Sequence, residues 1–179
     1  LTGASAGSAA LAARLGLPYS FAHFIHETNH PDVAERYRQE FTPGPLNTSP
    51  CLSLCIRVVC ADSADDVAAL QGLTHWLHDP HATANAIGGI LPSWTQLQQY
   101  VPPAHSTPPG LPILVGTPTQ LVDKIDDVVA AHRPDEVIVT TACPDFGLRA
   151  RTYELIADML AEISTLEPAR SAPEAEACT

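Results

Sequence analysis

The sequence predicts an α/β fold in which parallel strands are joined by crossover helices. Three observations carry that prediction. Apolar runs of strand length alternate with helix-period stripes from Leu1 to Met159. Most connections between these unlike elements are short. The run Leu52–Ala61 reads as a strand with two different faces: Leu52, Leu54, Ile56 and Val58 on one, and Cys51, Ser53, Cys55, Arg57 and Val59 on the other.

The opening stretch, Leu1–Phe24, reads as a strand end, a small-residue turn, an Ala-rich helix and a second strand over Leu17–Phe24. In the turn, Gly3 and Gly7 allow backbone to approach an anion, and Ser5 and Ser8 offer hydroxyls. The helix start aims unpaired N–H groups at the same spot, which is the chemistry of a phosphate cradle. A plainer reading, in which Ser8 simply N-caps the helix, stays open. Next, Asn29-His30-Pro31 marks a helix start with proline in the first turn, and Val33, Tyr37 and Phe41 give one buried stripe. Pro43-Gly44-Pro45 stops it.

After the Leu52–Ala61 strand, Ser63 with Asp65 and Asp66 starts another helix, placing acids at its positive end. Residues 79–112 then read as an irregular, proline-rich excursion, either a surface insertion or a functional loop. Thr117-Pro118-Thr119-Gln120 is a capping box, and Leu121, Val122, Ile125, Val128 and Val129 form the stripe of the helix it opens. Val137–Thr141 is the last strand, and Leu148, Leu155, Ile156 and Met159 line the last helix. Residues 166–179, rich in proline, alanine and glutamate, are expected to be a disordered tail.

Composition narrows the function classes. Hydrophobic residues at 45% against 16% charged supply a packed core rather than disorder. The formal net charge of −11 argues against nucleic acid and anionic membrane surfaces as partners. No apolar run reaches membrane-spanning length. Cys51, Cys55, Cys60, Cys143 and Cys178 show no Cys-x-x-Cys spacing and are read as reduced thiols of a cytoplasmic protein. His23, His26 and His30, and then His75, His78 and His81, lack the converging geometry of a metal site, and no metal is expected. Nucleophile-elbow and Walker motifs are absent, as is a complete dinucleotide fingerprint.

The opening run Leu1-x-Gly3-x-Ser5-x-x-Ser8-Ala-x-Leu-Ala-Ala-x-Leu-Gly-Leu-Pro-Tyr-x-Phe-Ala22 resembles the bacterial-luciferase-like flavin monooxygenase family. Ala34-Glu-Arg-Tyr-Arg-Gln-Glu-Phe41, Val115-Gly-Thr-Pro-Thr-Gln-Leu121, Asp135-Glu-Val-Ile-Val-Thr-Thr141 and Arg151-Thr-Tyr-Glu-Leu-Ile156 follow in the family's order. The resemblance implies a (β/α)8 barrel of the TIM type, of which residues 1–165 would be the C-terminal half, since whole barrels run to about 250 residues. A larger parent protein is therefore expected. Taken alone, half a barrel would expose strand edges and an apolar face, so this chain is expected to oligomerise or aggregate.

The resemblance further implies a flavin-dependent monooxygenase that uses reduced FMN, delivered by a flavin reductase, with O2 to oxidise a small organic substrate. It puts the flavin phosphate at the opening turn, on Gly3, Ala4, Ser5 and Ser8. Family members often carry a polar or acidic group where this chain has Ala4, which would remove one contact. Ligands of such barrels gather at the C-terminal ends of the strands. That rule selects the opening turn, His23 and His26, Cys60-Ala61-Asp62, and Thr140-Thr141. His23 would face the flavin ring and substrate as a catalytic group, or serve only as a structural hydrogen-bonding histidine. Two other readings remain: a non-catalytic flavin-binding partner protein, and an oxidoreductase that uses the deazaflavin F420 in place of FMN. Arg57, on the mixed face, needs an acceptor there unless it snorkels to water.

Overall fold

The computed structural model describes residues 1–25, 30–78, 93–101, 113–141, 143 and 145–166. Strands and helices alternate as β1 (Thr2–Gly3), α1 (Ala6–Arg14), β2 (Tyr19–Ala22), a 3-10 turn (His23–Ile25), α2 (Pro31–Gln39), β3 (Leu52–Cys60) and α3 (Ala64–His78). They continue with α4 (Trp94–Gln99), β4 (Ile113–Gly116), α5 (Pro118–His132), β5 (Glu136–Thr140) and α6 (Phe146–Leu166). Every strand pairing among the described residues is parallel, as crossover helices require. The chain is thus an α/β fold consistent with part of a (β/α)8 barrel.

β3 is the hub of the five-stranded sheet. It pairs with β2 over Leu52–Cys55, with β5 over Ser53–Arg57 and with β4 over Arg57–Cys60, while β1 joins through β2. Its aliphatic face, Leu52, Leu54, Ile56 and Val58, is fully buried against α1, α2, α5 and α6. Three of those helices present residues of the expected stripes, Val33 and Tyr37; Leu121, Ile125 and Val128; Leu155, Ile156 and Met159, and α1 adds Ala9, Ala12 and Ala13. The opposite face of β3 carries Ser53, Cys55 and Arg57 and stays partly open. A barrel interior would have this polarity, with branched aliphatics outward under the helices.

Small residues let α1 sit close to the sheet and to α2. α1 ends in a Schellman motif, in which Gly16 N–H bonds the Ala13 carbonyl at 3.2 Å and Leu17 N–H the Ala12 carbonyl at 3.0 Å. Gly16 adopts φ +62°, the left-handed region glycine favours. Tyr37 of α2 bonds through its hydroxyl to the backbone of Leu17 and Cys51, tying the ends of α1 and β3 together.

Some boundaries differ from the sequence reading. β2 stops at Ala22, because His23 turns into the helix layer and the chain tightens into a 3-10 turn. Phe41 lies beyond the end of α2 but still packs edge-on to Tyr37. The stretch expected to be irregular contains α4, opened by a Ser93–Gln96 capping box. Cys55, Cys60 and Cys143 are free thiols. Cys51 is disulfide-bonded, which corrects the expectation of uniformly reduced thiols. Strand spacing excludes a Cys51–Cys55 bridge but not one to a cysteine distant in sequence.

His132, at the end of α5, is fully buried and stacks on Phe21 at 5.2 Å between ring centres. Its Nδ1 lies 2.9 Å from the Val128 carbonyl, so that nitrogen carries the proton, and its Nε2 is buried without a partner among the described residues. Burial pushes its pKa below 6.5, outweighing the Val128 bond. A folded-state pKa below the unfolded one means that the unfolded chain binds the proton more readily. This contribution to stability is therefore complete above about pH 6.5 and declines as pH falls below it. His132→Phe is expected to flatten the loss of stability below that pH, as read from denaturant midpoints. An unchanged pH profile would overturn this assignment.

Candidate functional site

The N-terminus of α1 lies immediately beyond β1, at the C-terminal end of a strand. Ser5 is the N-cap: its Oγ accepts the Ser8 N–H at 3.2 Å, and Ser8 Oγ accepts the Ser5 N–H at 3.2 Å. Ser8 Oγ also donates to the Ser5 carbonyl at 2.8 Å and lies 3.0 Å from the Tyr19 hydroxyl. Burial raises the Tyr19 pKa against the opposing Ser8 bond, so the phenol keeps its proton. The N-cap is thus Ser5, which corrects the reading of Ser8 as the cap: Ser8 is the third helical residue and is engaged on several sides, whereas Ser5 is exposed and its hydroxyl proton can turn outward.

The next two amides, of Ala6 and Gly7, make no hydrogen bond to the described residues. Gly7 leaves the approach open, since a Cβ there would meet only Ser5 Oγ at 3.8 Å. Gly3 is required for a different reason: a Cβ there would sit 2.3 Å from Ser8 Oγ. Ala4 contributes backbone to the turn, with its methyl against the main core. Gly3, Ala4, Ser5 and Ser8 therefore converge in one turn, with two free amides at the positive end of a nine-residue helix. That geometry fits a phosphate.

His23 is placed differently. Its ring is 2% exposed and meets His132 edge-on at 5.6 Å and Phe21 at 6.4 Å, both on the helix side of the sheet. This setting favours the structural role left open by the sequence. Cys60 is buried and its thiol is pushed up to about 11 by burial and by the Asp62 charge, so it is not a thiolate nucleophile. Asp62 forms a two-point ion pair with Arg151 at 2.7 and 2.9 Å, which holds its carboxyl below the usual range. The adjoining Thr152 hydroxyl donates to the Cys60 carbonyl at 3.0 Å and accepts the Cys60 N–H at 3.3 Å. Together Arg151 and Thr152 fasten α6 to the end of β3. Both lie in the run Arg151–Ile156, where nothing in the local sequence indicates what they grip.

Thr140 ends β5 level with Arg57, and the Thr141 hydroxyl lies 3.4 Å from the Cys143 amide. His26 and His81 lie outside the described residues, and among the described ones no three His, Cys, Asp or Glu side chains group as a metal site. A groove of about 520 Å³ runs between α3 and α4, lined by Asp65, Asp66, His75, Leu97 and Tyr100 among others. None of its lining residues comes from the opening turn or the open face of the sheet.

The fold is that of an α/β protein whose opening turn, at a strand end, has a geometry suited to an anion. The chain is similar to a luciferase-like monooxygenase of Escherichia coli (strain K12), 29% identical over 91% of this chain and 49% of that protein. It is also similar to the uncharacterized protein YvbT of Bacillus subtilis (strain 168), 27% identical over 89% of this chain and 48% of that protein. Among solved structures, apo-MsnO8 superposes with a TM-score of 0.72 at 30% identity, covering 94% of this chain and 51% of that one. The monooxygenase RslO1 from Streptomyces bottropensis shares the fold with a TM-score of 0.53 at 20% identity, over 91% of this chain and 46% of that one. The chain thus spans about half the length of the relatives it matches. No protein-family profile matches it.

Proposed function

We propose that this chain supplies the phosphate end of the cofactor site in a luciferase-like, flavin-dependent monooxygenase, which oxidises a small organic substrate with reduced FMN and O2. The observation that carries the reading is the α1 cradle, found in a chain similar over nine-tenths of its length to a luciferase-like monooxygenase. Bound FMN would supply the reducing electrons for oxygen chemistry. The residues to hold its phosphate are the amides of Ala6 and Gly7 and the Ser5 hydroxyl, with Gly3 and Ser8 shaping the turn. Ser20, Ser53 and Cys55 on the open face of the sheet would border the rest of the ligand.

A separate reductase would deliver the reduced flavin. Association with further chain is supported by the β5 strand, where Val137 and Ile138 remain 38% and 39% exposed.

Titration with FMN and with riboflavin, followed by flavin fluorescence and calorimetry, tests this reading. FMN is expected to bind in the micromolar range and riboflavin, which lacks the phosphate, far more weakly. Ser5→Ala is expected to weaken FMN by about 10- to 150-fold, the loss of one hydrogen bond to a charged group, and to leave riboflavin unchanged. Equal affinity for both ligands, or binding of neither, would sink the proposal.

A further inference from the structure

Arg57 lies in the upper half of β3, on the face turned away from the helix layer. It is level with Ile113 of β4 and Thr140 of β5. Its guanidinium carbon sits 4.3 Å over the centre of the Phe24 ring, which the 3-10 turn brings beside β3. The residue is half-buried, and no carboxylate or hydrogen-bond acceptor meets it among the described residues. Glu136 shares this face but sits level with Ser53, about 13 Å down the strand, where its carboxylate accepts the Ser53 hydroxyl at 2.7 Å.

Stacking uses the flat face of the guanidinium and leaves its N–H edge available. A half-buried guanidinium edge without an acceptor has lost hydration that a ligand oxyanion would replace. The register separates this group from the phosphate cradle. Gly3 is level with Phe21, and Phe21 with Leu54, so Arg57 stands two strands across and three residues up from the end of β1. That places the two α-carbons about 14 Å apart, with the guanidinium held over Phe24 rather than at the cradle.

We propose that Arg57, oriented by Phe24, recognises a planar oxyanion on the organic substrate, namely a carboxylate. The word substrate rests on the monooxygenase reading; the anion site itself does not. The pyrimidine edge of a flavin offers related chemistry, and the experiment separates the two sources.

The full chain is titrated with benzoate while the side-chain Nε–H signal of Arg57 is followed by NMR; the signal is identified by its loss in Arg57→Gln. Benzoate is expected to shift that signal saturably, chloride at equal ionic strength to leave it in place. Arg57→Gln should abolish benzoate binding, and Arg57→Lys and Phe24→Leu should weaken it at least fivefold. FMN affinity should stay within twofold in all three variants, and thermal melting of each variant confirms that it is folded. An Arg57 signal indifferent to benzoate, or benzoate affinity unchanged in Arg57→Gln, would overturn the proposal. So would parallel losses of FMN and riboflavin affinity in Arg57→Gln with benzoate unaffected, an outcome that assigns Arg57 to the flavin ring. Failure of the wild-type chain to bind FMN strikes the flavin reading alone, because benzoate is judged in its own titration.

Discussion

Gly16→Ala is expected to destabilise the chain by about 2–5 kcal/mol, combining the left-handed backbone penalty with overpacking. The added Cβ would lie 2.6 Å from the Gly44 nitrogen, 2.7 Å from the Gly44 α-carbon and 2.9 Å from the Thr42 carbonyl oxygen. All three are backbone atoms, so no side chain can swing aside. The φ of +62° independently disfavours any residue with a Cβ. The same corner carries the Thr42 N–H bond to the Ala13 carbonyl at 2.9 Å, so separating α1 from the segment after α2 breaks more than a van der Waals contact. Chemical denaturation checks this: a midpoint shift equivalent to less than about 1 kcal/mol would mean that the two segments can part at little cost.

Ile56→Ala is the second large effect, at about 2–5 kcal/mol. Ile56 is fully buried in the middle of β3, paired with Val139, with its side chain in the layer shared by α5 and α6. A cavity there cannot close from the strand side, because the backbone is held in the sheet. The loss should come without any change in the affinity of the opening turn for FMN, since Ile56 points away from the open face. A drop in FMN affinity matching the drop in stability would show that the cradle and the core do not behave independently.

Much of this architecture is written in local patterns. The two faces of β3 follow from strict alternation, and the start of α5 from Thr117-Pro118-Thr119-Gln120, where Thr117 and Gln120 form the expected capping box. The opening turn is legible because its glycines and serines are neighbours in sequence. Other features depend on partners far along the chain. Nothing near His23 says that its ring will meet His132, although alternation with Tyr19 and Phe21 already puts it on the helix side. Arg57 is marked as needing a partner, but Phe24 as that partner requires knowing that β2 ends early. The Thr152 grip on Cys60 joins residues 92 positions apart. α4 is a different kind of miss: Ser93-Trp94-Thr95-Gln96 is a readable capping box, overshadowed by the prolines around it.

The position of β3 in the sheet bears on how the chain emerges during synthesis. Its first partner, β2, precedes it, but Ser53 pairs with Glu136, made 83 residues later. At about 5–20 residues per second, β3 waits roughly 4–17 s for that neighbour. Collapse of a nascent chain takes microseconds, so this apolar strand spends its early life on the ribosome with a pairing unmet. The charged and hydroxylic residues interleaved along it, Ser53 and Arg57, keep that interval from presenting an uninterrupted sticky surface. A strand that organises the finished sheet is thus also the one most in need of protection before the sheet exists.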